Sequence, residues 1–325
     1  MRKNPFADIY KACNSGATNR EKCKARNDMR GPLLLDVELT NACNLQCYMC
    51  PTGTNSLTRP KGFMSEKVMN RIVEDVKEAD MGGVRFILWG EPTLHPNFLE
   101  FSEKIKDAGK LVHFNTNGIL LTEEMLKAVV EMEVDSVKFS FQGVDKRSYE
   151  EMRLGSDWDK LLGNIRQLNA IRGEKEKPYI QISTTVTDEE EERIEKFCDE
   201  MKPLCEYINV GQTILSHLDI EKMRISDERK TDFRRLKSRQ SLVEKHLNVC
   251  PEIYTKLSVL WNGDVTMCCN DFDGSDMVLG NILNDSIRSF WKSEKAEEFC
   301  KLLEEDRYDR IGICSMCYEY ISLES

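Results

Sequence analysis

Histidine is scarce in this chain. Its 325 residues hold four, His95, His113, His217 and His246, and none is paired at metal-ligand spacing. Two readings of His95, in "EPTLHPNF", stay open: a residue of a helix-entry loop, or one that reaches a site rim. Long apolar runs are missing too. None approaches the roughly 18 uninterrupted apolar residues of a membrane span, and the opening "MRKNPFADIYKACNSG" has no apolar stretch of the secretory kind. A cytoplasmic location without membrane attachment is therefore expected. Nor is there a positive surplus. Forty-six Lys and Arg against 56 Asp and Glu leave a net charge of −10, which would repel a nucleic acid unless a basic face were set apart. One stretch, 222–245 ("KMRISDERKTDFRRLKSRQSLVEK"), does run basic. It reads as a solvated helix between domains, or as a cover that attracts an anionic substrate group. No internal repeat or low-complexity segment stands out.

Cysteine, by contrast, is abundant. Thirteen thiols in a reducing compartment are too many for disulfides and too tightly grouped for core filling, so metal or cluster binding is expected. They hang on an α/β pattern. Six β-branched or aromatic runs, at 33–40, 84–90, 111–118, 136–142, 179–186 and 207–212, are each followed by a charged amphipathic stretch. Strands alternating with helices imply a parallel sheet. Ser65 and Thr122 are expected to cap helices, and Gly109 to end one. Near residue 249 the pattern changes to short strands, with Asn262-Gly263 expected as a two-residue hairpin turn.

Cys43, Cys47 and Cys50 form C-x3-C-x2-C directly after the first strand, on a loop at the C-terminal edge of the sheet. Three thiolates can hold three irons of a [4Fe–4S] cubane and leave the fourth open to a small molecule. The alternative is a zinc site with a distant fourth ligand. Cys250, Cys268, Cys314 and Cys317 supply a second group, C-x17-C followed by C-x2-C, which by spacing suits either a four-thiolate cluster or a four-cysteine zinc site.

The first motif resembles the signature of the radical S-adenosylmethionine (radical SAM) superfamily, which follows the first strand of a partial (β/α)6 TIM barrel. "WGEP" (89–92) is similar to that family's Gly-Gly-Glu segment, with Trp89 where the first glycine is usual. "FNTNG" (114–118) and "SFQGVDKRSYEEMR" (140–153) are similar to its third- and fourth-strand segments. The resemblance implies that Met49, Gly90, Glu91, Asn115, Thr116, Asn117, Ser140 and Arg153 bind SAM. Gly90 and Glu91 would lie at its amino group, and Ser140 and Arg153 would serve its ribose and carboxylate. A guanidinium suits a carboxylate by bidentate pairing. Surface pairing for Arg153 and plain turn chemistry for residues 115–117 are the alternatives. The second cysteine group resembles the SPASM/Twitch auxiliary domain. No cysteine follows Cys317, so the resemblance implies one auxiliary [4Fe–4S] cluster beside the SAM-binding one.

The expected organisation is an N-terminal extension (1–32), the barrel (33–220), a basic helical linker (221–248) and a small cysteine-rich α+β domain (249–325). Among relatives the likeness is to sugar and cyclitol dehydrogenases and epimerases of the 2-deoxy-scyllo-inosamine dehydrogenase type. It implies oxidation of a secondary alcohol of a small sugar, cyclitol or polyol to a ketone, with a flavodoxin- or ferredoxin-type electron donor. Epimerisation with a cysteine hydrogen donor, for which Cys269 beside Cys268 is the candidate, and maturation of a ribosomal peptide are the alternatives. Peptide maturases commonly carry a sizeable leader-binding domain, whereas the first strand here is expected from residue 33. A non-catalytic cluster module would require two closed sites, and the first group has three cysteines.

Overall fold

The computed structural model describes residues 2–14, 18–215, 218–241, 249–315 and 317. His217, His246 and the end of the basic stretch lie outside the described residues. Two helices, α1 (Ala7–Cys13) and α2 (Asn19–Asp28), precede β1 (Leu34–Val37) and the short β2 (Gln46–Cys47). There follow α3 (Glu66–Glu78), β3 (Gly83–Phe86), α4 (Phe98–Asp107), β4 (Leu111–Thr116), α5 (Glu123–Glu131) and β5 (Ser136–Ser140). Then come α6 (Lys146–Met152), β6 (Arg153–Leu154), α7 (Trp158–Arg172), β7 (Tyr179–Val186), α8 (Glu191–Met201), β8 (Tyr207–Gln212) and α9 (Asp227–Ser241). The C-terminal part holds β9 (Lys256–Val259), β10 (Asp264–Thr266), β11 (Val278–Asn281), α10 (Ile287–Trp291), α11 (Glu294–Glu304) and α12 (Gly312–Ser315).

Six strands run parallel in the order β1-β3-β4-β5-β7-β8, each beside its predecessor, which is the partial barrel expected. The helices start where side chains supply acceptors for orphan N–H groups. Ser65 accepts from Val68 N, and Thr122 from Met125 N. α4 ends at Gly109, whose φ of +73° suits a residue without Cβ, while Lys110 N donates back to Ile105 O.

Period-two alternation sorts the strand residues. Val84, Phe86, Val112, Phe114, Val137, Phe139, Ile180 and Ile182 are fully or almost fully buried in the main core. Each such side chain contributes about 1.5–3 kcal/mol. The alternate positions carry the polar residues Asp36, Arg85, His113, Asn115, Lys138, Ser140, Gln181 and Ser183, which line the inner face. Register sets Asp36 beside Arg85, Arg85 beside His113, Asn115 beside Lys138, and Lys138 beside Gln181. Below them Phe6, Cys13 and Leu34 form a small apolar cluster, so α1 closes this end of the barrel.

On the free side of β1 the sheet continues. β9 pairs with it in parallel, and β10 and β11 follow antiparallel. The turn between β9 and β10 differs from the two-residue hairpin expected. Gly263 N donates to Leu260 O at 2.8 Å, and only Gly263 of the turn has positive φ, +91°. A two-residue type I′ turn needs positive φ at both central residues, so the loop is longer, with the glycine as its αL residue. The basic stretch contains α9, and one of its arginines is met by acids of the barrel. Arg229 bonds to Glu151 (3.0 Å) and Asp188 (2.5 and 3.0 Å), and Phe233 is fully buried in a cluster with Tyr48 and Met152. Among the described residues no helix is long and apolar enough to cross a membrane.

Candidate functional site

The loop after β1 is tied down before it reaches the cysteines. Thr40 Oγ1 donates to Gly62 O and accepts from Ala42 N, and the Asn41 amide bonds Pro60 O and Gly62 N. The chain then forms β2, which pairs antiparallel with β6 and sets Cys47 opposite Arg153. Cys43 Sγ accepts from Leu45 N at 3.4 Å and from Asn117 Nδ2 at 3.8 Å. Cys43, Cys47 and Cys50 line one cavity of about 210 Å³, together with Met49, Gly90, Glu91, Asn115, Thr116, Asn117, Ser140 and Arg153. Four strand ends and one loop converge there.

The side chains divide by what occupies them. Glu91 is 2% exposed. One oxygen accepts from Thr93 N, Thr93 Oγ1 and Thr116 Oγ1, the other from Asn117 N at 2.8 Å. Its carboxylate therefore ties the end of β3 to the end of β4. Thr116 Oγ1 also accepts from Gly118 N, and Asn117 Oδ1 from Ile119 N, so these two oxygens serve the turn while both residues line the cavity. A Cβ at Gly90 would lie 1.9 Å from Thr40 O and 2.8 Å from Ala42 O, so only glycine fits between those backbones. Leu88, two residues earlier, has φ +86°, a conformation that costs about 1–3 kcal/mol outside glycine.

Arg153 has no acidic partner among the described residues. Its Nη2 donates to Phe141 O at 3.0 Å, and its buried Nε has no acceptor. A guanidinium left this way beside a cavity fits an anionic group there. Burial pushes Cys43 up to about 12 and Cys47 to about 11, so both thiols stay protonated until a metal displaces the proton. The three grouped thiols, the Gly90 gap and a guanidinium with no carboxylate beside it together fit a SAM-binding cluster. Among the described residues no three His, Cys, Asp or Glu side chains converge on a point where one ion would sit, so this fit rests on the shared cavity.

Cys250, Cys268, Cys314 and Cys317 line a second, apolar cavity with Ile253 and Ile313. They come from the approach to β9, the end of β10 and the tail folded back after α11. Burial pushes Cys250 up to about 11 and Cys314 to about 12. Four thiols around one apolar hollow are the donor set of a closed cluster. Cys269 does not line it. Its thiol donates to Glu252 Oε2 at 3.5 Å, near Lys256, which is itself paired with Glu252. A hydrogen bond with Cys268, then burial, holds Cys269 well above the usual thiol range. The adjacent thiols thus stay in contact, with Cys268 lining the second cavity and Cys269 just behind it against Glu252.

Other candidates settle into structural roles. His95 Nδ1 accepts from Asn97 N, which leaves Nε2 to donate to Met64 O, the contact of a helix-entry loop. Cys300 is buried against Cys23, and Cys205 Sγ donates to Met201 O. Sequence reasoning missed several residues. Trp89 donates from its indole N–H to Cys269 O at 2.8 Å and packs edge-on against Phe272, so it bridges the two cysteine groups. Thr52 Oγ1 donates to Trp89 O. Asn19 Oδ1 accepts from Cys250 N, and the Lys22 ammonium bonds Cys13 O close to Cys250, which brings the N-terminal extension onto the second site. Only Trp89 left a trace beforehand, as a bulky residue where a glycine is usual.

A model of the radical SAM superfamily matches residues 37–201, and one of an iron–sulfur cluster-binding domain, SPASM, matches residues 250–318. The chain is 36% identical over 107 residues to the tungsten-containing aldehyde ferredoxin oxidoreductase cofactor-modifying protein of Pyrococcus furiosus, 33% of this chain and 30% of that one. It thus spans less than a third of that relative's length. It is 24% identical over 291 residues to the S-adenosyl-L-methionine-dependent 2-deoxy-scyllo-inosamine dehydrogenase of Niallia circulans, 87% of this chain and 92% of that one. Streptococcus suis SuiB bound to precursor peptide SuiA superposes with a TM-score of 0.65 at 16% identity, over 92% of this chain and 74% of that one, a likeness of fold.

Proposed function

We propose, from the premise that the chain belongs to the radical SAM superfamily, that it oxidises a secondary alcohol of a small sugar, cyclitol or polyol to a ketone. Its cofactors are S-adenosylmethionine, a [4Fe–4S] cluster and auxiliary iron–sulfur in the C-terminal domain. When bound, they supply a 5′-deoxyadenosyl radical that takes hydrogen from an unactivated C–H, and a sink for the second electron.

The observation that carries this reading is the single cavity shared by three cysteines and the strand-end residues, among them the inner-face residues Asn115 and Ser140. Cys43, Cys47 and Cys50 would hold the SAM-binding cluster, and Cys250, Cys268, Cys314 and Cys317 the auxiliary one. Arg153 would take the methionine carboxylate with the N–H groups it does not give to Phe141. Glu91 would act through the backbone, holding β3 and β4 so that Gly90 presents its peptide to the amino group. Ser140 and Asn115 offer polar atoms to the ribose, and Met49 an apolar surface. Positioning and exclusion of water are the protein's main work here. The reductant would be a flavodoxin- or ferredoxin-type donor, and 249–325 the part that binds the auxiliary cluster. The dehydrogenase named above, whose likeness runs along most of both chains, supports an alcohol substrate.

One observation favours a second reading. Cys269 is not among the residues lining the second cavity, and its thiol, near Glu252 and Lys256, could return a hydrogen atom in an epimerisation. Solvent deuterium distinguishes the two: it enters an epimerised product through the exchangeable thiol and is absent from the reacting carbon of a ketone.

The test is direct. Wild-type protein reconstituted without oxygen should form 5′-deoxyadenosine under dithionite, and joint replacement of Cys43, Cys47 and Cys50 by Ala should abolish it. SAM cleavage by the triple variant would overturn the assignment.

A further inference from the structure

The inner face of the barrel holds its charges in pairs, with one exception. Arg59 clasps Glu38 with both terminal nitrogens, Nη1 to Oε2 at 2.6 Å. Arg85 holds Asp36 at 2.6 and 2.7 Å. Lys256 meets Glu252 at 2.5 Å. Lys138 has no such partner: among the described residues its ammonium makes no hydrogen bond and no ion pair.

Its place in the fold is well determined. Lys138 lies on β5 two residues before Ser140, so both point to the same face, roughly 6.6 Å apart along the strand. Ser140 and Asn115 line the candidate SAM cavity, and Asn115 is the register partner of Lys138 on β4. Gln181 is its partner on β7. Both neighbours are neutral amides already in use, Asn115 accepting from His113 and Gln181 donating to Ser136. The nearest acid, Asp36, is held by Arg85. Burial first, then Arg85, lowers the Lys138 pKa to about 8. Lys138 is half-buried, and an ammonium near Arg85 and Lys256 with no ion pair of its own is placed to meet a negative charge brought in from outside.

We propose that Lys138 binds an anionic group, a carboxylate or a phosphate, on the substrate, so that the hydroxylated molecule entering the barrel is an acid or a phosphate ester rather than a neutral polyol. This rests on the proposed function and narrows its substrate class. A bound anion at Lys138 would sit beneath the SAM cavity and leave the distal carbons of the same molecule facing Ser140 and Asn115. Lys138 would then set specificity by favouring anionic substrates over neutral analogues, which forgo that charge pair.

Titration calorimetry on the reconstituted, SAM-loaded holoenzyme tests this with inorganic phosphate and acetate as probes. Wild type should bind one of them at a single site per chain. Lys138→Gln should weaken that site by roughly tenfold, as expected for loss of the cation from a charge pair, and Lys138→Arg should restore most of it. A tighter phosphate points to a phosphate ester, a tighter acetate to a carboxylic acid. Equal dissociation constants in wild type and Lys138→Gln, or no saturable site in wild type, would overturn the proposal. A rise in the SAM dissociation constant of the Gln variant with no change for either probe would also overturn it, by assigning the cation to SAM. A measurement free of variants guards against misfolding. Acetic anhydride should acylate Lys138 in wild type, and the tighter probe should protect it; unchanged acylation sinks the idea. Formation of 5′-deoxyadenosine by wild type is scored separately, so failure there strikes the functional reading and failure of anion binding strikes only this one.

Discussion

Glu91 shows how a residue can be right by position and different in use. The motif suggests a contact with the SAM amino group, yet four donors of the chain already surround its carboxylate. Sequence spacing brings Glu91 to the site but does not say which way its oxygens point, because Thr93, Thr116 and Asn117 become its neighbours only when β3 and β4 pair. Glu91→Ala should therefore cost about 1–3 kcal/mol in chemical denaturation, from stranded buried donors, besides weakening SAM binding. A variant with wild-type stability and weak SAM binding would instead make Glu91 a direct ligand contact. Gly90→Ala is expected to lower SAM affinity and stability together, since the new methyl meets only backbone. His113 adds a pH dependence. Burial, with Lys138 and Arg85 beside it, holds its pKa well below the usual value. A depressed base contributes stability that is complete above the unfolded pKa near 6.5 and is lost as pH falls below it. The stability of wild type should thus fall between pH 7.5 and 5.5 by more than that of His113→Asn; parallel declines would show that His113 charges freely in the folded protein.

At the scale of elements, the strands were the most legible because the chain writes them twice, in β-branched content and in alternation. β5 is the plainest case, with Val137 and Phe139 buried and Lys138 and Ser140 at inner-face positions. What alternation alone cannot disclose is pairing across long separations. β2 and β6 have two residues each, too few for any periodic signal, and yet their pairing places Arg153 against Cys47. The hairpin at Asn262-Gly263 was misread for a related reason: a dipeptide fixes where φ can be positive, not how many residues the loop contains. α9 shows the opposite weakness. Its charges suggest a solvated rod, and a single aromatic, Phe233, anchors it in a cluster with Met223, with Met152 of α6 and with Tyr48 of the cysteine loop. Phe233→Ala should cost about 3–5 kcal/mol by denaturant unfolding. Because the same cluster supports Tyr48 and Met49, SAM affinity should fall as well. An unchanged denaturation midpoint would return α9 to the solvent.

Across the whole molecule, the change of pattern near residue 249 suggested a barrel and a small second domain, and one sheet runs through both. β9 hydrogen-bonds along β1 over four residue pairs, from Leu34 with Lys256 to Val37 with Val259. Side chains reinforce the seam far apart in sequence. The Arg26 guanidinium donates to Trp291 O at 2.6 Å and stacks on that indole, Asp75 accepts from Ile287 N at 2.7 Å, and Arg59 reaches Phe272 O. None of these contacts has a sequence signature, since each joins residues more than 200 positions apart. A seam made of sheet hydrogen bonds and buried polar pairs cannot open without exposing the β1 edge, so the C-terminal part should share the barrel's cooperative unit. Native-state hydrogen exchange reads this directly. The amides of Leu257 and Val259 should open with the same free energy as those of Leu35 and Val37, within about 1 kcal/mol, whether or not the second cluster is loaded. A distinctly lower opening energy confined to β9 and β10 would mean that the cluster-binding part unfolds alone. The bridge from Trp89 to Cys269 would then break in ordinary fluctuations rather than hold the two cysteine groups in a fixed relation.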